Sequence, residues 1–356
     1  MTKQVTRMIK GLAILFMVAH HVFGNYASYE GAGIVCGEGI RSFAATFKIC
    51  VAMYAFVTGY AYFFAKDKSY KYSFKKIWQL LEIYWLILFT IFIPIALAKG
   101  YKFTAWDFVV QLFGLLPNLN WYAWYVFFYV FAMLVLPLCD KLFQLINGKT
   151  KHGWLFNLGL LTVVPFVIGV ALHSIPNYEE ITLIHDAFTC FIYLPSCLIG
   201  YYVAQYNLIP KIMTKFKATW YNVLISLFGI AIVLVARYYI SSVFGFLLDV
   251  IYVPLVVLFA VVIFSYLTEK SVRPITWLFS FLGKYSTGIW FFHAVFYSTY
   301  VSDIFAPALL WTNNIVLVYL LCVILSVVGA MIYQIVIKYL NAGCNMLYLK
   351  TRKVKG

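Results

Sequence analysis

The chain has 356 residues, of which 64% are hydrophobic, 20% aromatic and 11% charged, and its formal net charge is +15. Charged residues make up about a quarter of a soluble domain, so this composition, with a mean hydropathy of +0.89, excludes one. The positive balance calls for no nucleic-acid partner, because basic residues gather where a multi-span protein meets anionic membrane lipid.

Hydrophobic runs long enough to cross a ~30 Å hydrocarbon core recur from end to end. In chain order they cover 8–27, 42–65, 78–98, 122–139, 154–172, 187–206, 221–241, 247–267, 281–303 and 315–337, with short loops between them. The fold class is therefore an all-α integral membrane protein, a bundle of about ten transmembrane helices. A polytopic membrane domain over 1–345 is followed by a basic cytoplasmic tail over 346–356. With the amino terminus in the cytoplasm, inner segments hold 22 of the 27 Lys and Arg, leaving Arg41, Lys48, Lys99, Lys102 and Arg237 outside. That bias predicts that both termini are cytoplasmic. The first run has no small-residue cleavage site and reads as a retained span.

The first run also carries the most informative spacing. Lys10 and His21 are eleven residues apart, which on a helix returns to within ~20° of the same face and separates them by ~16 Å along the axis. An extended coenzyme arm has a comparable reach, with a cation at one end and a base at the other. Ionisable groups inside a membrane segment are expensive and point to function. His20 projects ~100° from His21 and suits a structural role. Farther along, Lys66-Asp-Lys-Ser-Tyr-Lys-Tyr-Ser-Phe-Lys75-Lys76 is the densest inner basic loop, either a phosphate grip or a plain positive-inside loop. Glu82 lies close enough to Lys75 and Lys76 for a local ion pair, and Lys48 and Arg237 sit near outer ends where such side chains snorkel.

Asn118-Leu-Asn120-Trp121-Tyr122-Ala-Trp124-Tyr125 opens the fourth run. It reads as an interfacial aromatic belt or as a stacking surface for sugar rings flanked by two amides. His152 falls in an inner loop, while His173 and His185 flank an outer acidic loop with Glu179, Glu180 and Asp186. In the ninth run His293 follows Lys284 by nine residues, so His21 and His293 lie at similar depth on different helices and suggest a shared cavity. Each is also readable as an interhelical hydrogen-bonding residue. Neither helix offers Cys, Asp or Glu at ligand spacing, so no metal is expected. The seven cysteines read as small buried hydrophobes, with Cys36–Cys50 on the outer side the one bridge to consider.

The segment from Lys10 to His21 resembles the signature of the acyltransferase 3 family of integral membrane acyltransferases: Arg or Lys, ten residues, His, in the first span. Trp121-Tyr-Ala-Trp124-Tyr125 with Leu136-Pro137, and Gly283-Lys-Tyr-Ser286 with Trp290-Phe-Phe-His293, resemble later segments of the same family. This sequence departs from the pattern in two places. Arg7 stands where an acidic residue often precedes the motif cation, and Lys75 and Lys76 stand for an arginine-bearing loop.

The resemblance implies transfer of an acyl group, most often acetyl, to a hydroxyl of a cell-surface or lipid-linked saccharide. The donor would be cytoplasmic acetyl-CoA or another acyl-CoA, a substrate rather than a resident cofactor. On that reading Lys10, Lys75 and Lys76 bind the donor's phosphates. His21, supported by His293, serves acyl transfer as general base or transient acyl carrier. Trp121, Tyr122, Trp124 and Tyr125 receive the acceptor. The expected partners are the saccharide acceptor, acyl-CoA and membrane lipid, and the expected place is the cell membrane, a bacterial plasma membrane by the family's habit. A transporter or flippase of a lipid-linked saccharide would use the same residues to line a passage, although no paired broken helices are evident. A structural membrane protein would leave Lys10 and His21 unexplained.

Overall fold

A computed structural model describes residues 1–24, 33–115, 118–147, 153–244 and 248–354. His152 lies outside them, as do parts of four connecting segments. Among the described residues there is no strand. Hydrocarbon offers the backbone no hydrogen-bond partner, so a spanning segment must satisfy itself as a helix.

Among the described residues ten long helices follow one another: α1 (Lys3–Gly24), α2 (Glu38–Phe63), α3 (Tyr70–Ala98), α4 (Trp121–Asn147), α5 (Gly153–His173), α6 (Thr182–Gln205), α7 (Trp220–Phe244), α8 (Asp249–Glu269), α9 (Arg273–His293) and α10 (Ile315–Val354). Among the described residues nine of these, all but α9, are long and apolar enough to cross a membrane. The chain is a multi-pass membrane protein. α9 carries Arg273 and Lys284 and is sheltered instead by α1, α10 and α3.

Several bounds differ from the hydrophobic runs. α3 begins at Tyr70 rather than 78, so Lys71, Lys75 and Lys76 occupy its first turns and not a loop. α9 spans Arg273–His293 rather than 281–303: Pro274 sits in its first turn, and after His293 the chain tightens into a 3₁₀ turn. A hydropathy window rejects basic turns that a helix accepts when its cations face a polar space. α10 continues to Val354, through the 345/346 boundary.

α6 is the most buried span and α5 and α7 the least, with 72% against 22% of each span covered by protein, so α6 belongs to the centre and the other two to the lipid boundary. Two close seams hold the middle together. A Cβ on Gly11 would fall 2.1 Å from the Phe279 carbonyl oxygen, and one on Gly283 would fall 1.8 Å from that of Arg7. α1 and α9 thus touch backbone to backbone, as small residues allow within a membrane. Gly59 and Gly200 do the same for α2 and α6. Six of the seven cysteines are buried and all seven are unbridged, Cys36 and Cys50 included.

Two local irregularities position side chains. α2 passes through a 3₁₀ turn at Ala45–Lys48. The carbonyls just before and within it accept from outside the helix, Ala44 from His20 Nδ1 at 3.0 Å and Ala45 from Arg237 Nη1 at 2.9 Å. α3 widens into one π turn at Leu88–Phe92, which ends two residues before Pro94, whose missing N–H breaks the ordinary ladder.

Candidate active site

A cavity of about 540 Å³ opens between α1, α2, α3, α4 and α9. Lys3, Arg7 and Lys10 of α1, Lys76 of α3 and Lys284 of α9 line its end beside the chain's amino terminus. Lys10 lies within electrostatic reach of both Arg7 and Lys76. His20, His21, Lys48, Tyr122 and Trp124 line the far end. Among the described residues no aspartate or glutamate contributes to the wall. Lys10 and Lys76 are half-buried and Lys3, Arg7 and Lys284 are exposed; like charges gathered this closely repel one another, and the cluster is suited to an anion.

The Gly11–Gly283 seam sets the relation between α1 and α9, and with it the histidines. The His21 and His293 rings stack at 5.1 Å between centroids. Tyr122 meets His21 edge-on at 4.5 Å and His293 at 5.5 Å. His293 is fully buried and its Nδ1 is hydrogen-bonded to the Trp290 carbonyl. A carbonyl accepts only, so Nδ1 carries the proton and Nε2 is the basic nitrogen; among the described residues Nε2 has no partner. His293 stands behind His21, whereas His21 itself is on the cavity wall.

The aromatic segment is fixed from two directions. Trp290 Nε1 donates to the Tyr122 carbonyl at 2.9 Å, coupling α9 to the start of α4. A short helix at Ala105–Phe113, with a reciprocal cap between Thr104 and Asp107, presents buried Gln111. The Gln111 side chain accepts from the Leu119 N–H at 3.2 Å, while Tyr84 and Trp85 of α3 donate to the carbonyls of Gln111 and Leu112. Tyr122, Trp124 and Tyr125 face the cavity. Trp121 points elsewhere: it is half exposed and lies 6.3 Å from the His185 ring.

The geometry thus brings together Lys10, Lys76, His21, His293, Tyr122, Trp124 and Tyr125, and leaves Lys75 exposed and Trp121 outside the cavity. Glu82 makes no ion pair among the described residues; Lys76 instead donates to Gln79 at 3.0 Å. Arg237 does not snorkel. It is 3% exposed and bidentate to Asp249, at 2.6 and 3.0 Å. Lys48 does not snorkel either: it lines the cavity beside the histidines. The signal for it was present: Lys48 begins an uninterrupted apolar stretch, as Lys10 does. Lys68 of the basic segment is engaged by Asp140 at 3.0 Å.

Such a cavity can hold a polyanionic chain at the cationic end and bring its far end against an imidazole. A family model described as an acyltransferase domain, that of acyltransferase 3, matches residues 7–334, nearly the whole chain. No curated protein and no solved structure matches.

Proposed function

This chain belongs to the acyltransferase 3 family and is a membrane acyltransferase, and from that premise we propose that it moves an acyl group, acetyl in the first instance, from acyl-CoA to a hydroxyl of a cell-surface or lipid-linked saccharide. One observation carries the reading: a cavity whose wall has no carboxylate among the described residues joins a cluster of cations to the His21 imidazole. The donor's phosphates lie among Arg7, Lys10, Lys76 and Lys284, as charge-assisted contacts between ammonium or guanidinium groups and phosphate favour. The ~16 Å from Lys10 to His21 along α1 matches the reach of the pantetheine arm, which delivers the thioester to the imidazole. The cationic end faces the cytoplasm, consistent with the distribution of basic residues, and the acceptor approaches past Tyr122 and Trp124. The site belongs to the cell membrane, a bacterial plasma membrane by family habit.

In the transfer step the acceptor oxygen attacks the thioester carbonyl carbon, and His21 takes the hydroxyl proton. The tetrahedral intermediate collapses with cleavage of the C–S bond, and the departing thiolate receives that proton as free CoA. His293, stacked on His21, holds the ring in place. Purified protein in lipid nanodiscs, supplied with acyl-labelled acetyl-CoA and a saccharide acceptor, tests the reading. Label appearing on the saccharide as an alkali-labile ester, with one CoA thiol released per ester, supports it. Saccharide crossing the bilayer unmodified, with no thiol released, would replace it with transport.

A further inference from the structure

An acyl-CoA is longer than the ~16 Å that separates Lys10 from His21 along α1. With its pyrophosphate near Lys10 and its thioester at His21, its adenosine 3′-phosphate must lie beyond Lys10, away from the histidines. α1 marks a path in that direction. Lys3, Arg7 and Lys10 are spaced by four and three residues and form one stripe on the helix. Lys3 stands ~10 Å before Lys10 along the axis. There a second hollow, of about 600 Å³, opens between the first turns of α1 and α9, within the size range of small-ligand sites. Lys3 and Arg7 line both this hollow and the main cavity. Arg7 lies on the seam between the two helices, where a Cβ on Gly283 would fall 3.1 Å from its Cγ.

Arg273, Trp277 and Ser280 of α9 complete the hollow, and among the described residues no carboxylate lines it. Glu269, four residues before Arg273, makes no ion pair among the described residues. Glu30, the one acidic side chain outside them, follows the opposite end of α1 in the sequence. Trp277 lays one face of its indole on Phe281, with 5.1 Å between centroids and 17° between planes. It is 63% exposed, so the other face is open to a planar ring. The Ser280 hydroxyl is buried and, among the described residues, has no partner. Cations alone would suit any anion, the membrane surface included. An open indole beside them, in a hollow that adjoins the donor's cavity, suits an aromatic base that carries phosphate. We propose that this hollow holds the donor's adenosine 3′-phosphate, with Trp277 stacked on the adenine and Arg273 and Lys3 on the phosphomonoester. The donor is thereby selected by its nucleotide, and thioesters of phosphopantetheine alone are poor substrates. This assignment rests on the acyl-transfer reading for the donor's identity, whereas affinity for a phosphorylated adenosine is measurable without it.

The test measures binding of adenosine 3′,5′-bisphosphate and adenosine 5′-monophosphate by calorimetry, in nanodiscs of zwitterionic lipid. Wild-type, Arg273→Gln, Arg273→Lys and Trp277→Ala protein are compared. Ester formation is followed in parallel with acetyl-CoA and acetyl-3′-dephospho-CoA as donors. Wild-type protein is expected to prefer each 3′-phosphorylated compound about tenfold or more, as a charge-assisted phosphate contact implies. Arg273→Lys keeps part of that preference, Arg273→Gln brings it towards unity, and Trp277→Ala weakens both nucleotides alike. Wild-type protein that binds and uses the phosphorylated and dephosphorylated compounds equally overturns the proposal and leaves acyl transfer standing. So does a preference unchanged in Arg273→Gln, with that variant altered only in its response to added phosphatidylglycerol, because the hollow then belongs to lipid headgroups. Should Arg273→Gln fail to fold, the wild-type preference and the weakened nucleotide binding of Trp277→Ala decide. If binding shows the Arg273-dependent preference but neither donor yields ester, the nucleotide site stands and the acyl-transfer reading fails.

Discussion

Two of the groups of charged residues within this bundle are built differently. Around Asp140 of α4 the network is closed: Lys68 and Gln144 contact its carboxylate at 3.0 and 2.9 Å, the Tyr201 hydroxyl donates to it, and Tyr62 donates to the Lys68 carbonyl at 2.8 Å. The charge is met by its own chain, and the network ties the loop before α3 to α4 and α6. Around the cavity Lys3, Arg7, Lys10, Lys76 and Lys284 meet, among the described residues, no carboxylate on the wall. A charge answered internally holds the fold; a charge left facing a cavity awaits a ligand. Family membership fixes the reaction class, and on the proposed reading this contrast divides the residues that serve the fold from those that serve the substrates.

The sharpest division between the two groups comes from removing one member of each. His21→Ala is expected to lower transfer by ~10²–10⁴-fold, the range for loss of a general base, with unchanged thermal unfolding in detergent. Asp140→Ala is expected to do the reverse. It strands the Tyr201 hydroxyl and the Lys68 ammonium at a cost of ~1–3 kcal/mol, lowering the unfolding midpoint while the folded fraction keeps its KM for donor. If Asp140→Ala raised donor KM at unchanged stability, the distinction between the groups would collapse.

Within the cavity, Lys10→Ala is expected to raise the donor KM about tenfold, as loss of a charge-assisted phosphate contact does, with a smaller rise for Lys76→Ala. Lys75→Ala, on the exposed side of the same turn, should leave KM unchanged when all three are assayed at one ionic strength. The smallest effect is expected at the surface. Asp303, on a short helix after α9, accepts from Lys99, which holds its carboxyl below the usual range. A depressed carboxyl contributes stability at neutral pH that disappears as the pH falls through its folded-state value. Asp303→Asn should therefore flatten only the acid limb of a stability profile and leave transfer at pH 7 unaltered.

How far the sequence foretold these groups depends on whether a feature is local to one helix. Lys10 and His21 are related by the helical repeat alone, so their shared face and separation could be read directly. Choosing Lys76 over Lys75, or Tyr122 over Trp121, needs the rotation of a helix against its neighbours, because adjacent residues differ by ~100°. That rotation is set by seams such as Gly11–Gly283, which composition does not reveal. The Arg237–Asp249 pair bridges two helices across a connection, and Asp249 falls near the edge of a hydrophobic run where it reads as a boundary residue. α9 was displaced by eight residues at its start because Arg273 looks like a loop cation to a reading of hydrophobic length. The other nine long helices need only hydrophobic length and were legible as spans, if not in every bound.

The most direct test of the account is mass spectrometry of surface glycans from cells carrying wild-type protein, His21→Ala protein at equal membrane abundance, or neither. The account predicts ester-linked acyl groups with wild-type protein and their loss in both other strains. Acylation undiminished with His21→Ala would contradict the assignment of His21 as the group that takes the acceptor's proton.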